Sequence, residues 1–319
     1  MISFRMRHAW FDRTAPPERL AAYRIVLGVF VTAYLIGRTE AFLELGTRDA
    51  NRFDPVGVFR LIGQPISGAT NSVIVAAVIA GGVAFTVGWR FRLTGPLFAV
   101  GVMLLTTHRS SWGQMLHFEN LMTLQLIVLA PFRAADAWSL DRRRTTSTAP
   151  RGASVDYQFP LTVASVVVVT TYVIAGIAKL RNGGLDWVVG DTLRNHIAYS
   201  YSRLDLFGAN GSVFARLALD YERVLPFLAG TSVLVELLAP VALLGGLWRN
   251  VWVAAAWFMH VGILVLMLVG FPSPLFLVAF APMFRLERCT IAWKQAKHRF
   301  PSRDIRSCPS ELESSDRSH

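Results

Sequence analysis

The sequence predicts an all-α fold: a polytopic membrane bundle of about eight transmembrane helices, with both termini cytoplasmic. Of its 319 residues, 53% are hydrophobic and only 17% charged, a balance foreign to soluble domains of this size. The apolar residues gather in blocks that approach the roughly 20 residues a helix needs to cross a bilayer. Basic residues flank those blocks, as membrane anchors do. The net charge of +11 is thereby accounted for without nucleic acid, which is not an expected partner.

The first element is an interfacial segment, residues 1–20. MISFRMRHAWFDRTAPPERL lacks the apolar core of a signal peptide. It places Trp10 and Phe11 among headgroups and starts a helix near Thr14-Ala15-Pro16. A transmembrane domain, 21–285, follows, with spans expected at about 21–37, 72–89, 93–108, 112–132, 159–180, 225–248, 250–270 and 272–285. The third and eighth are short, and the fourth is polar through its first half. Turn signals part them at Trp89-Arg90-Phe91-Arg92, Trp248-Arg249-Asn250 and Phe271-Pro272-Ser273-Pro274.

Two longer segments, 38–71 and 181–224, carry apolar and aromatic residues such as Phe53, Phe59, Trp187 and Tyr201. Short amphipathic or re-entrant helices capping the outer face are expected there. Residues 286–319 read as a basic, partly disordered cytoplasmic tail. It holds both cysteines, Cys289 and Cys308; their spacing suits neither a metal site nor a structural disulfide, and no metal is expected.

With the N-terminus inside, the inner segments hold Arg5, Arg7, Arg90, Arg92, the Arg142-Arg143-Arg144 run and the basic tail, nearly twice the basic residues of the outer segments. That asymmetry sets the orientation, and Asp141-Arg142-Arg143-Arg144 reads as a cytoplasmic stop. The expected location is the cell membrane, as a multi-pass protein.

Ionisable residues within spans are costly and face a cavity or a partner. Lys179 closes span five near its outer end. Span four places Gln114, His117, Glu119 and Asn120 in its outer half, while Glu236 and His260 fall near the middle of spans six and seven. If the spans pack together, these groups share one outward-opening cavity. Each also has a plainer role. Lys179 snorkels to the interface unless the small residues Ala175 and Gly176, with Tyr172 on the same face, draw a helix against it. His260 is either a hydrogen-bonding group between helices or a catalyst. Arg24 and Glu236 read as structural, Arg24 bonding carbonyls or headgroups and Glu236 pairing with an arginine or histidine; Pro240 frees the Glu236 carbonyl. No GxSxG, HExxH, Walker loop or GxGxxG in a strand-to-helix setting is present.

Five segments in order resemble a family. They are Tyr23-Arg24-Ile25-Val26-Leu27-Gly28, Thr86-Val87-Gly88-Trp89-Arg90-Phe91-Arg92, Ser111-Trp112 with Leu124-Gln125-Leu126, Ile174-Ala175-Gly176-Ile177-Ala178-Lys179-Leu180 with Asp186-Trp187-Val188-Val189-Gly190, and Phe258-Met259-His260 with Ser273-Pro274-Leu275-Phe276. The chain resembles the HTTM ("horizontally transferred transmembrane") proteins, relatives of the vitamin K-dependent gamma-glutamyl carboxylases, over roughly 20–285. The resemblance implies a reduced vitamin K or menaquinol-type quinone as cofactor. It implies that Lys179, in the place of the family's second K-K lysine, is the base that deprotonates it. It further implies His260 and His117 as catalytic, and Glu119, Asn120, Tyr172 and Trp187 as residues around the quinone.

Ala178 replaces the first lysine of that pair, and Gln114-Met115 stands where the family has N-H, so the family's histidine falls on Met115 and His117 lies two places on. The large lumenal region that supports peptide binding in animal carboxylases has no counterpart, which turns the expectation from peptide carboxylation toward quinol oxidation or epoxidation. A non-catalytic maturation or immunity partner on the same scaffold is the alternative. A transporter lacks the internal repeat expected of it. Partners are membrane lipids and a quinone-like small molecule, with no protein partner named.

Overall fold

A computed structural model describes residues 13–113, 118–145, 152–208 and 211–288. The expected interfacial residues Trp10 and Phe11, Gln114 and His117 of the expected fourth span, and both cysteines lie outside this set. Among the described residues the chain is helical, with no β structure beyond one backbone bridge between Ala15 and Ser154.

The longer helices are α1 (Pro17–Gly37), α2 (Gly68–Val87), α3 (Phe91–Ser110), α4 (Phe118–Leu129), α5 (Val155–Gly183), α6 (Thr192–Leu206), α7 (Val213–Asp220), α8 (Leu225–Leu237) and α9 (Gly246–Met267). Four of them, α1, α2, α5 and α9, are long and apolar enough to cross a membrane. The polarity of the surface is inverted relative to a soluble fold. Val73, Leu97, Ile174, Phe258 and Trp248 point outward, whereas Arg24, Asn71, Glu119, Gln125, Glu236 and His260 are buried. In lipid that arrangement leaves apolar side chains in an apolar solvent and confines polar groups to protein.

Neighbouring helices pack antiparallel in sequence: α1 on α2, α2 on α3, α3 on α4, α4 on α5, and α5 on α8. Polar devices lock the ends. At one end the fully buried Arg24 donates from Nη1 to the Ala134 carbonyl (2.8 Å) and from Nη2 to that of Trp138 (2.6 Å). It bonds carbonyls, as expected of it. Beside it the α2–α3 turn runs through Gly88 at φ 65° and Arg90 at φ 46°, and Asp141 accepts from the backbone N–H of Arg90 and of Phe91, both at 2.7 Å. The carboxylate therefore seals the N-terminus of α3, where unsatisfied N–H groups and the helix dipole favour an anion. This is a structural task that the reading of Asp141-Arg142-Arg143-Arg144 as a stop signal did not contain.

Several expected boundaries move. The first helix begins at Pro17 with Pro16 as its N-cap, the start expected near Thr14-Ala15-Pro16, so only the span limit at 21 shifts. The expected span 225–248 is not one helix: α8 ends at Leu237, residues Ala239–Leu244 form a tighter 3-10 turn, and α9 starts at Gly246. Pro240 has no N–H to give the Glu236 carbonyl, so the α-helical ladder stops there. The expected span 272–285 is likewise a four-residue turn of helix (Pro272–Leu275) followed by the 3-10 segment Val278–Met283. Pro272, Pro274 and Pro282 deny it a continuous ladder. Gln125 compensates from α4, donating to the Ala279 carbonyl at 2.8 Å. Segments 38–71 and 181–224 do form short helices, among them Thr39–Glu44, Phe59–Ile62, Asp186–Val189, α6 and α7.

Candidate functional site

Lys179 lies one turn before the end of α5, which breaks at Gly183 and at Gly184 (φ 57°). Three residues earlier, Gly176 faces α8: a Cβ there would come 3.0 Å from a Leu237 methyl and 3.1 Å from Glu236 Cβ. Absence of a side chain thus permits the approach that brings Lys179 Nζ to 2.6 Å from Glu236 Oε1. Both side chains are largely withdrawn from solvent, at 20% and 7% exposure. After the break, the Asp186–Val189 turn sets Trp187 over the same amine, with Nζ 5.3 Å from the ring centroid. The expected arginine or histidine partner of Glu236 is corrected to Lys179.

A second pair sits against the first. Tyr172, two turns below Lys179 on α5, shares a 2.8 Å hydrogen bond with His260 Nε2 from α9. Tyr172 packs edge-on to Trp252 at 5.0 Å, and the His260 ring lies 4.9 Å from that of Phe271. His260 is within Coulombic reach of Lys179, and Tyr172 of Glu236. Five sequence-predicted residues, Lys179, Glu236, Tyr172, His260 and Trp187, therefore come together from α5, α8, α9 and the turn after α5. Among the described residues, three of their buried polar atoms have no hydrogen-bond partner: Glu236 Oε2, His260 Nδ1 and Trp187 Nε1.

Glu119 belongs elsewhere. It is fully buried and accepts from Arg109 Nη1 at 2.5 Å and from the Tyr34 hydroxyl, which in turn accepts from Arg109 at 3.1 Å. This triad ties α1, α3 and α4 together, so Glu119 is not free to serve a cavity beside Lys179. Asn120, about 100° further round the helix, is exposed and turns away from the triad. The single cavity expected from span four is thus corrected: of its described polar residues, Glu119 and Gln125 hold the bundle together.

Arg109 and Tyr34 were not among the predicted residues. Arg109 closes an apolar helix, where a basic residue reads as an anchor, and Tyr34 is one of several aromatics in α1. Their pairing with Glu119 spans many residues of sequence and leaves no local trace. No group of His, Cys, Asp and Glu able to hold a metal occurs among the described residues.

No curated protein and no solved structure matches the chain. The family model of the HTTM domain does, over residues 12–288. That match covers α1 through α9 and every residue of the Lys179–Glu236 cluster, and the chain belongs to the HTTM domain family, a family of membrane proteins.

Proposed function

We propose that this membrane protein binds a reduced quinone beside the Lys179–Glu236 pair and takes a proton from it, in a carboxylase-like reaction of quinol oxidation or epoxidation. One observation carries the reading: the residues gathered at one ion pair carry three partnerless buried polar atoms. Buried polar atoms are nearly always hydrogen-bonded, and convergent polar groups among aromatic rings are the mark of a small-molecule site. The donor set suits a quinol, whose hydroxyls both give and accept hydrogen bonds and whose ring is flat and apolar. Such a ligand also partitions into the bilayer that surrounds α5. When bound, the quinol would supply reducing equivalents toward oxygen.

The chain's own residues divide the remaining work. With Lys179 and Glu236 ionised, Glu236 Oε2 is the open acceptor for a proton, and the Lys179 ammonium balances the negative charge left on the donor. The base is then the pair rather than the lysine alone, consistent with general-base catalysis in a site shielded from water. With the Tyr172 hydroxyl donating to His260 Nε2, the imidazole proton sits on Nδ1, an N–H without a partner that can orient a bound oxygen. On the orientation expected from the basic residues, this cluster faces the outer half of the cell membrane.

The test is epoxide yield from the reconstituted full chain with a reduced naphthoquinone and oxygen. Lys179→Ala and Glu236→Gln should each reduce it more than tenfold, within the range for a positioned acid–base group. Yields equal to wild type, in variants that remain folded, would refute the mechanism.

One feature favours the non-catalytic reading: Lys179 already has a carboxylate and an aromatic face as partners, the pattern of a structural ion pair. Arginine keeps the charge but cannot act as a base. Full complementation of a deletion phenotype by Lys179→Arg would select this reading.

A further inference from the structure

We infer that α7 lies in the plane of the membrane, with one long side sunk into lipid at the end of the bundle where α9 terminates. The partner of this surface is the bilayer itself, at the boundary between headgroups and acyl chains.

α7 (Val213–Asp220) is an eight-residue helix held against the bundle by its neighbours. Ser212 caps its first turn, accepting from the Ala215 N–H, and the same hydroxyl donates to the Val265 carbonyl near the end of α9. Gly211 runs so close to the Tyr201 ring of α6 that a Cβ there would collide with it. Ala215 and Ala218 are buried, and they pack with Ile197 of α6 and Leu225 of α8 against Leu266 and Met267 of α9. These contacts fix the rotation of α7 about its own axis.

The rest of its circumference divides in two. At about 100° per residue, Val213, Phe214 and Leu217 share one side, joined by Tyr221 just past the helix end. All four are exposed, Phe214 at 60% and Tyr221 at 71%. Leu206 and Phe207, in the chain leading to α7, are exposed as well, at 85% and 82%. Arg216 and Asp220 hold a separate edge and are also exposed. Bundle side, apolar side and charged edge each take about a third of the helix.

Exposed apolar surface on this scale marks a partner, and its surroundings favour lipid. α9, on whose last turns α7 rests, is long and apolar enough to cross a membrane, so α7 sits at the depth where a spanning helix ends. Leu264 and Leu268 of α9 are exposed at that level too, which continues the apolar surface. An apolar side next to a charged edge is the build of an in-plane interfacial helix. At the same end α6 exposes chiefly polar residues, among them Asn195, His196 and Asp205, as a helix facing water does. His260 precedes Val265 by five residues, about 8 Å along α9, so the boundary that α7 marks lies just beyond the Tyr172–His260 pair.

Nitroxide labels on the full-length chain in phosphatidylcholine nanodiscs test this placement, in a Cys289→Ser/Cys308→Ser background. Labels at Phe214→Cys and Leu217→Cys should be reached by dissolved oxygen rather than by a water-soluble nickel chelate, at about 5–10 Å below the phosphate level. Ile174→Cys, on the exposed face of α5, gives the lipid reference. A label at Arg216→Cys, one residue from Leu217, should instead be reached by the chelate. Chelate access at all three α7 positions would place the helix in water and overturn the proposal. Labels at Phe214→Cys and Leu217→Cys that neither reagent reaches would overturn it too, since a second copy or another protein then covers the face. If these variants do not fold, the wild-type chain gives the readout: a diazirine on a phospholipid acyl chain should crosslink within residues 213–221. Adducts on α5 with none in that segment would refute the inference.

Discussion

The Lys179–Glu236 contact should show strong thermodynamic coupling, measurable by a double-mutant cycle. At 2.6 Å and an effective dielectric of 20, the gross attraction between the charges is about 6 kcal/mol. Desolvation opposes it, because both groups are drawn out of water. Lys179→Met leaves Glu236 in a site only 7% exposed with neither carboxylate oxygen bonded, a loss of about 3 kcal/mol. Glu236→Leu leaves the ammonium at 20% exposure over the Trp187 ring, which retains part of its stabilisation, so about 2 kcal/mol is expected. The double variant replaces the pair by apolar groups and should lose less than either single change. The coupling energy is then at least about 3 kcal/mol. Reversible unfolding of the purified protein in mixed micelles supplies the four free energies. A coupling below about 0.5 kcal/mol, the value of an exposed pair, would refute the close α5–α8 contact and with it the proposed base.

Gly88→Ala should destabilise by about 2 kcal/mol, since the new Cβ would lie 2.5 Å from Ser139 Cβ and 2.8 Å from Arg24 Nη1 at φ 65°; an unchanged unfolding midpoint would count against the Arg24 lock. Arg109→Met should cost about 3 kcal/mol by stranding the buried Glu119, whereas Arg48→Met, from a pair at 40% and 61% exposure, should stay within about 0.5 kcal/mol. Similar midpoints for these two variants would refute the buried triad.

The helical class was legible because apolar blocks and basic flanks are local features of composition. Breaks inside the blocks were less so. Pro240 lies in the apolar run Leu237-Leu238-Ala239-Pro240-Val241, where hydropathy continues although the hydrogen-bond ladder cannot. The residues of the Lys179 cluster could be singled out individually, since a polar group at membrane depth is conspicuous. Their partners could not, because pairing is a matter of which helix faces which. Glu119 and Glu236 are both acids within expected spans, yet one joins a triad across α1, α3 and α4 and the other a lysine on α5. Nothing local to Glu119 names Tyr34.

What separates Lys179 from an ordinary helix-end anchor is a sequence of small causes. Gly176 gives up a side chain and so admits α8. Leu237 ends that helix one residue after Glu236, and Pro240 turns the chain aside before α9 brings His260 back toward Tyr172. The Gly183-Gly184 break then folds Trp187 over the amine. An anchoring lysine needs none of these; it needs only a path to water. Here each step withdraws the amine from solvent and adds a polar atom beside it, until three of those atoms remain unpaired. On the proposed reading, a bound quinol would complete the hydrogen bonding of these three atoms.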